Sequence, residues 1–199
     1  MKGRQEILEF EDFDMDRVKL IILGLSEIVG LEELSLLALV DEDKDRQLVV
    51  TCDKAMSKLI KRHMTNEPRV GMLYPQVMAD VLKAQGCYDL EVWITDVQDG
   101  EYQTEVVDGI SQKHFPIRCS DGILFSLVSN APIYASGKLM MKQSVPFRLG
   151  ENKIGLPLTI LSEQMLQMAM QKAIETENFE MASNLRDELN KRHADKESL

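Results

Sequence analysis

Twice along this chain, three strand-like runs are followed by a stretch whose apolar residues recur at helical spacing, and few folds accommodate that order. Residues 17–24 (RVKLIILG) and 35–40 (SLLALV) are short apolar runs, and LVVTC at 48–52 follows the charged DEDKDRQ as a hairpin partner. The period then changes. Met56, Leu59, Ile60 and His63 share one face, which predicts a helix over 53–64. Pro75 suits the first turn of a second helix, with Val77, Met78, Val81 and Leu82 on one side and Gly86 as its stop. The second half repeats the grammar: strands at 90–97 and 102–107 flank an Asp99-Gly100 turn, and HFPIRC at 114–119 is the third. Ser120 is placed to cap a helix bearing Ile123, Leu124, Leu127 and Val128, Asn130 to end it, and Pro132-Ile-Tyr-Ala to close the unit. LVVTCDKAMSKLI and FPIRCSDGILFSL thus occupy equivalent places, the mark of an internal duplication.

After Gly137 the pattern loosens, and Pro146, Gly150, Gly155 and Pro157 punctuate a linker. Two helical segments follow, separated by Thr176-Glu177-Asn178. The expected layout is an acidic segment over 1–16, an α+β domain over 17–143, a linker over 144–157, a helical hairpin over 158–193 and a tail over 194–199. No run approaches the roughly 18 apolar residues of a membrane span, and the acidic N-terminus lacks the pattern of a secretory signal. Cys52, Cys87 and Cys119 lie far apart with no CxxC pair, which reads as reduced thiols in a cytoplasmic protein.

The formal charge is −10, so any contact with nucleic acid must be a local basic patch. One segment offers it. Lys54, Lys58, Lys61 and Arg62 fall on one face of the first helix, Arg69 follows, and only Glu67 is acidic among them. A solvated face opposite the apolar stripe would look the same. The alternating acids of DEDKD resemble a calcium loop, but Arg46 stands where that loop needs Gly and Cys52 where it needs Glu. There is no glycine-rich phosphate loop, no GxSxG and no HExxH, and the three histidines have no ligand spacing. Arg118-Cys119-Ser120-Asp121 lies where a strand hands over to a helix. There the unpaired N–H groups of a helix start and a guanidinium fork can clamp an anion. Asp121 could hold a metal, orient a water or complement the helix dipole. Asp96 and Asp99 bracket a hairpin end as turn residues, or as members of a metal cluster if the turn folds over the same pocket.

Residues 17–143 resemble the bacterial bifunctional nuclease (BFN) domain, whose members degrade DNA and RNA. The resemblance rests on VMADVLKAQG at 77–86, VWITDVQDGEYQTEV at 92–106 and IRCSDGILFSLVSNAPIYAS at 117–136. It implies a barrel-like mixed sheet built from two three-strand-plus-helix repeats. Arg118, Ser120 and Asp121 survive from the family's Arg-(Pro/Thr)-Ser-Asp-Ala segment. Where such domains carry Arg-Pro-Leu-Thr-His-Asp, this chain has Gly71-Met-Leu-Tyr-Pro-Gln76, and the small-residue helix near 53–60 is lysine-rich. The resemblance therefore implies phosphodiester chemistry with Arg118 as phosphate clamp, Asp121 as metal or water ligand and Ser120 beside them. A divalent metal, Mg²⁺ or Mn²⁺, would serve that chemistry.

The C-terminal hairpin resembles the UVR motif shared by the UvrB and UvrC repair proteins and several bacterial adaptors, through AIETENFEMASNLRDEL at 173–189. That resemblance implies protein–protein contact through Phe179, Glu180, Leu185, Arg186 and Asp187. Apolar residues sweep about 240° around the first hairpin helix, leaving a Met-rich strip at Met165 and Met168 beyond what its partner helix can cover. Two readings follow: a nuclease acting on DNA or RNA, or a scaffold that has lost hydrolysis and binds a protein partner, or a second copy, through the hairpin.

Overall fold

The computed structural model describes residues 17–28, 31–98, 100–147, 161 and 163–197. The acidic segment 1–16, Asp99 and most of the expected linker lie outside the described residues.

Two antiparallel meanders form first: β1 (Arg17–Ile28), β2 (Leu31–Asp41) and β3 (Arg46–Asp53), then β4 (Leu90–Gln98), β5 (Glu101–Asp108) and β6 (Lys113–Pro116). The DEDKD run is a turn. The Asp41 carboxylate accepts from the amides of Asp45 (2.8 Å) and Arg46 (3.1 Å), and Lys44 adopts a left-handed φ of 59°. Each meander hands over to an 11-residue helix, α1 (Lys54–Met64) after β3 and α3 (Cys119–Ser129) after β6. Between them, α2 (Tyr74–Ala84) begins with Pro75 in its first turn, and Gly86 beyond its end has a φ of 82°. Asn130, left-handed at φ 62°, terminates α3.

Strand β7 (Ile133–Ser136) joins the meanders. It runs parallel to β4 and antiparallel to β1, giving one eight-stranded sheet in the order β6-β5-β4-β7-β1-β2-β3-β8. Helix α4 (Gly137–Gln143) and the two-residue β8 (Val145–Pro146) complete the unit. Leu37, Leu39, Leu48, Ile60, Ile94, Ile123 and Leu139 are fully buried in one core under α1, α3 and α4. Burying each of these side chains stabilises the fold by about 1.5–3 kcal/mol.

The sheet is not closed, contrary to the barrel-like expectation. Its two ends, β6 and β8, are four and two residues long. Each also contains a proline, which has no N–H to donate to a ladder. The curl is held by a side chain instead: the Tyr102 hydroxyl on β5 donates to the Val49 carbonyl on β3 at 3.0 Å. Burial raises the Tyr102 pKa, so the phenol remains a donor.

The C-terminal pair, α5 (Glu163–Glu175) and α6 (Phe179–Glu197), has its own buried cluster of Leu161, Leu166, Ala173, Ala182, Leu185 and Leu189. Arg192 donates to the Leu161 carbonyl at 2.5 Å, tying the entry of the pair to its second helix. Among the described residues no helix is long and apolar enough to cross a membrane.

Candidate functional site

The starts of α1 and α3 lie side by side because both helices follow third strands of their meanders and pack on the same core. Asp53 caps α1, its Oδ1 accepting from the Met56 amide at 2.8 Å. A carboxylate cap satisfies one orphan N–H and complements the helix dipole. Arg118 occupies the corresponding cap position of α3 but offers no side-chain cap, so the first amides of α3 have no side-chain acceptor there. Its guanidinium turns to two carboxylates: Nε donates to Asp121 Oδ2 at 2.5 Å, and Nη1 stands 3.8 Å from Asp53 Oδ2.

The pairing with Asp121 raises the Arg118 pKa further above its ordinary value, so the cation is permanent. The Arg118 side chain is 68% exposed, which limits the pair's contribution to stability to roughly 0–1 kcal/mol. Its worth is positional. A guanidinium has five N–H donors, and those not turned to Asp121 and Asp53 can take a phosphate oxygen.

Ser120 is the second residue of α3, not its cap, and it is buried. The expectation that it caps the helix is therefore corrected: the cap is Arg118 and the helix starts at Cys119, two residues earlier than a Ser120 cap would place it. Asp53 is the site residue that sequence reasoning missed. Its signal was present in the equivalence of the two strand-to-helix handovers, one of which already held Arg118 and Asp121. The three histidines lie on other parts of the fold. His63 is buried on the inner face of α1, where burial lowers its pKa, His114 pairs with Glu105 at 2.7 Å, and His193 pairs with Glu163 at 2.7 Å.

The basic residues of α1 differ in their pairing. Lys54 lies 3.8 Å from Glu33, and Arg62 pairs with Glu67 at 3.1 Å. Lys58 and Lys61 are exposed and, among the described residues, without a partner. Asp96 lies within β4 beside a bulge, paired with Gln103 of β5 and not in a turn, and its carboxylate accepts from the amide of Val97 at 2.9 Å. Among the described residues no three His, Cys, Asp or Glu side chains gather as a metal set. Asp53 and Asp121 are the two carboxylates at the helix starts, and Mg²⁺ is commonly held by one or two carboxylates together with substrate phosphates.

A cavity of about 280 Å³, lined by Ala79, Leu82, Cys87, Leu90, Asn130 and Pro132 among others, lies at the far end of α3 from Asp121. On the helical pair, Met168 is 60% exposed and Met165 is partly buried against the pair's own cluster. Phe179 stays 67% exposed, although its spacing puts it in the stripe of Ala182, Leu185 and Leu189. Glu180 is exposed, Leu185 is buried in the pair, and Arg186 bonds to Asp187 at 3.0 Å on the surface.

No curated protein matches the chain. The model of the bifunctional nuclease domain matches residues 37–148, from within β2 to just beyond β8. With more than half of its length covered by that match, the chain belongs to the bifunctional nuclease domain family.

Proposed function

We propose that the chain binds and hydrolyses DNA or RNA at the paired starts of α1 and α3. The observation that carries this reading is the Arg118 guanidinium held between Asp53 and Asp121. Arg118 would clamp a phosphate oxygen and offset charge as it builds on the phosphorus. Asp121, released from Arg118 by the incoming phosphate, would orient the attacking water. Ser120 is buried and would act only by fixing the first turn of α3. The basic row Lys54, Lys58, Lys61 and Arg62 would hold flanking phosphates. A divalent cation, Mg²⁺ or Mn²⁺, held by Asp53 and Asp121, would neutralise the phosphate and lower the pKa of a water. The test is cleavage of labelled DNA and RNA with and without these ions. Weak turnover is expected, because no histidine serves the site as proton carrier. It should fall at least about tenfold in Asp121→Ala and in Arg118→Ala, roughly 1.4 kcal/mol of transition-state stabilisation. Cleavage unchanged by both substitutions places the chemistry elsewhere.

A second reading, a scaffold that has lost hydrolysis, is favoured by the helical pair. Its resemblance to the UVR motif and the exposure of Met168 and Phe179 suit contact with a protein or a second copy, in the bacterial cytoplasm. Absence of cleavage together with loss of a partner on removing the pair would select it.

A further inference from the structure

Charge and exposure change abruptly after β3. From Lys54 to Ala79 the chain carries five basic residues and one acid, Glu67, in a protein whose net charge is −10. The carboxylate of Glu67 is taken by Arg62. Lys58, Lys61 and Arg69 are left exposed and, among the described residues, unpaired. The run after α1 folds back on that helix's end, with the Thr65 amide on the Lys61 carbonyl at 3.0 Å and the Glu67 amide on the Arg62 carbonyl at 3.1 Å. Arg69 then turns left-handed at φ 69°, the 3₁₀ turn Val70–Met72 follows, and Tyr74 opens α2. Met72 and Tyr74 are each 76% exposed, and among the described residues the Tyr74 hydroxyl has no partner.

We infer that the basic face of α1 and the exposed run through Arg69 to Tyr74 form a track for single-stranded nucleic acid, with Tyr74 as the platform on which a base stacks. The inference rests on the nucleic-acid reading of the α1 face and adds its substrate class. A row of unpaired cations followed by an open aromatic ring is the combination that single strands require, since every base has a face to stack while phosphates supply the charge. A duplex keeps its base faces covered and gains nothing from Tyr74. From Lys54 to Lys61 the helix rises about 10 Å. Its first residue adjoins Asp53, so the track leads from the ring to the Arg118 pair.

The test is fluorescence anisotropy of a labelled 20-nucleotide single strand and of the same sequence as duplex, on the full chain. Expected is tighter binding of the single strand by at least about fivefold. Tyr74→Ala should weaken the single strand about tenfold, leave the duplex unchanged and be rescued by Tyr74→Phe. At about 0.7 per neutralised phosphate on a single strand, Lys58→Ala/Lys61→Ala should flatten the slope of log affinity against log salt by about 1.4. If the lysine variant weakens both forms while Tyr74→Ala weakens neither, the nucleic-acid reading stands and the single-strand inference is overturned. If the wild type binds neither form at low salt, both are overturned. A Tyr74→Ala variant that alters the protein's mass in light scattering but not its affinity assigns the ring, with its neighbours Val77 and Val81, to a protein contact instead.

Discussion

Asp53 and Arg118 hold the cap positions of two helices that start 65 residues apart in sequence, and their side chains meet at 3.8 Å. One carboxylate therefore does two jobs, closing α1 with one oxygen and facing a guanidinium with the other. The functions can be separated by substitution. Asp53→Asn keeps a good cap and removes the charge, so its urea midpoint should lie close to wild type. Asp53→Ala should lose about 1 kcal/mol. Equal losses in the two variants would mean that the ion pair, not the cap, is what stabilises this corner.

The buried thiols give a pH dependence. Burial pushes Cys119 up to about 12 and Cys52 up to about 11, against an ordinary value of 9.0. An acid whose folded pKa is raised contributes stability that is present below the unfolded value and lost above it. Stability measured by denaturant should thus be flat with respect to these thiols up to pH 8.5 or so. It should then fall as pH rises from about 9 toward 11, less steeply in Cys119→Ala. In the native state a thiol reagent should modify half-buried Cys87 first. Rapid labelling of all three cysteines in the native state would contradict this.

Gly122 lies in the first half of α3, where a helix would gain about 1 kcal/mol from alanine. A Cβ there would stand 3.1 Å from Val92 Cγ1 and 3.2 Å from Thr104 Cγ2, both on strands beneath it. Overpacking of this kind costs about 1–3 kcal/mol, so Gly122→Ala should be destabilising on balance. A thermal midpoint at or above wild type would show that the helix can lift away from β4 and β5.

Exposed Met168 and its half-buried neighbour Met165 on the helical pair offer a fourth test. If this surface is an interface, Met165→Glu/Met168→Glu and a chain truncated after Pro157 should both lose mass in light scattering or a partner in pull-down. Folding of the remainder should be unchanged, as read by circular dichroism. If both match the full chain, the pair has no docking role.

Much of this architecture could be read from the sequence because its signals are local. The spacing of Met56, Ile60 and His63 fixed α1, and the left-handed Asn130 ended α3 where expected. Helix α4 escaped notice because it has seven residues and its cap, Ser136, is also the last residue of a strand. Strand β8 consists of two residues whose pairing to Gln47 and Arg46 leaves no periodic trace. Whether a sheet closes depends on the lengths and prolines of its terminal strands, and the resemblance to a barrel outweighed them. At the candidate site Arg118 and Asp121 were visible because they share a turn. Asp53 was not, because its partner comes from the other meander.

The placement of β7 has a consequence for how the protein is made. Strand β1 leaves the ribosome well before β7, yet one of its edges is completed only by β7, through pairs such as Leu20 with Ile133. At about 5–20 residues per second, the roughly 110 residues between them take about 6–22 s to synthesise. Throughout that interval Val18 and Leu20 belong to an open strand edge, the kind of surface that recruits another chain. A nascent chain is therefore exposed to misassembly between the synthesis of β1 and that of β7, and pausing of translation before Ile133 would lengthen that exposure.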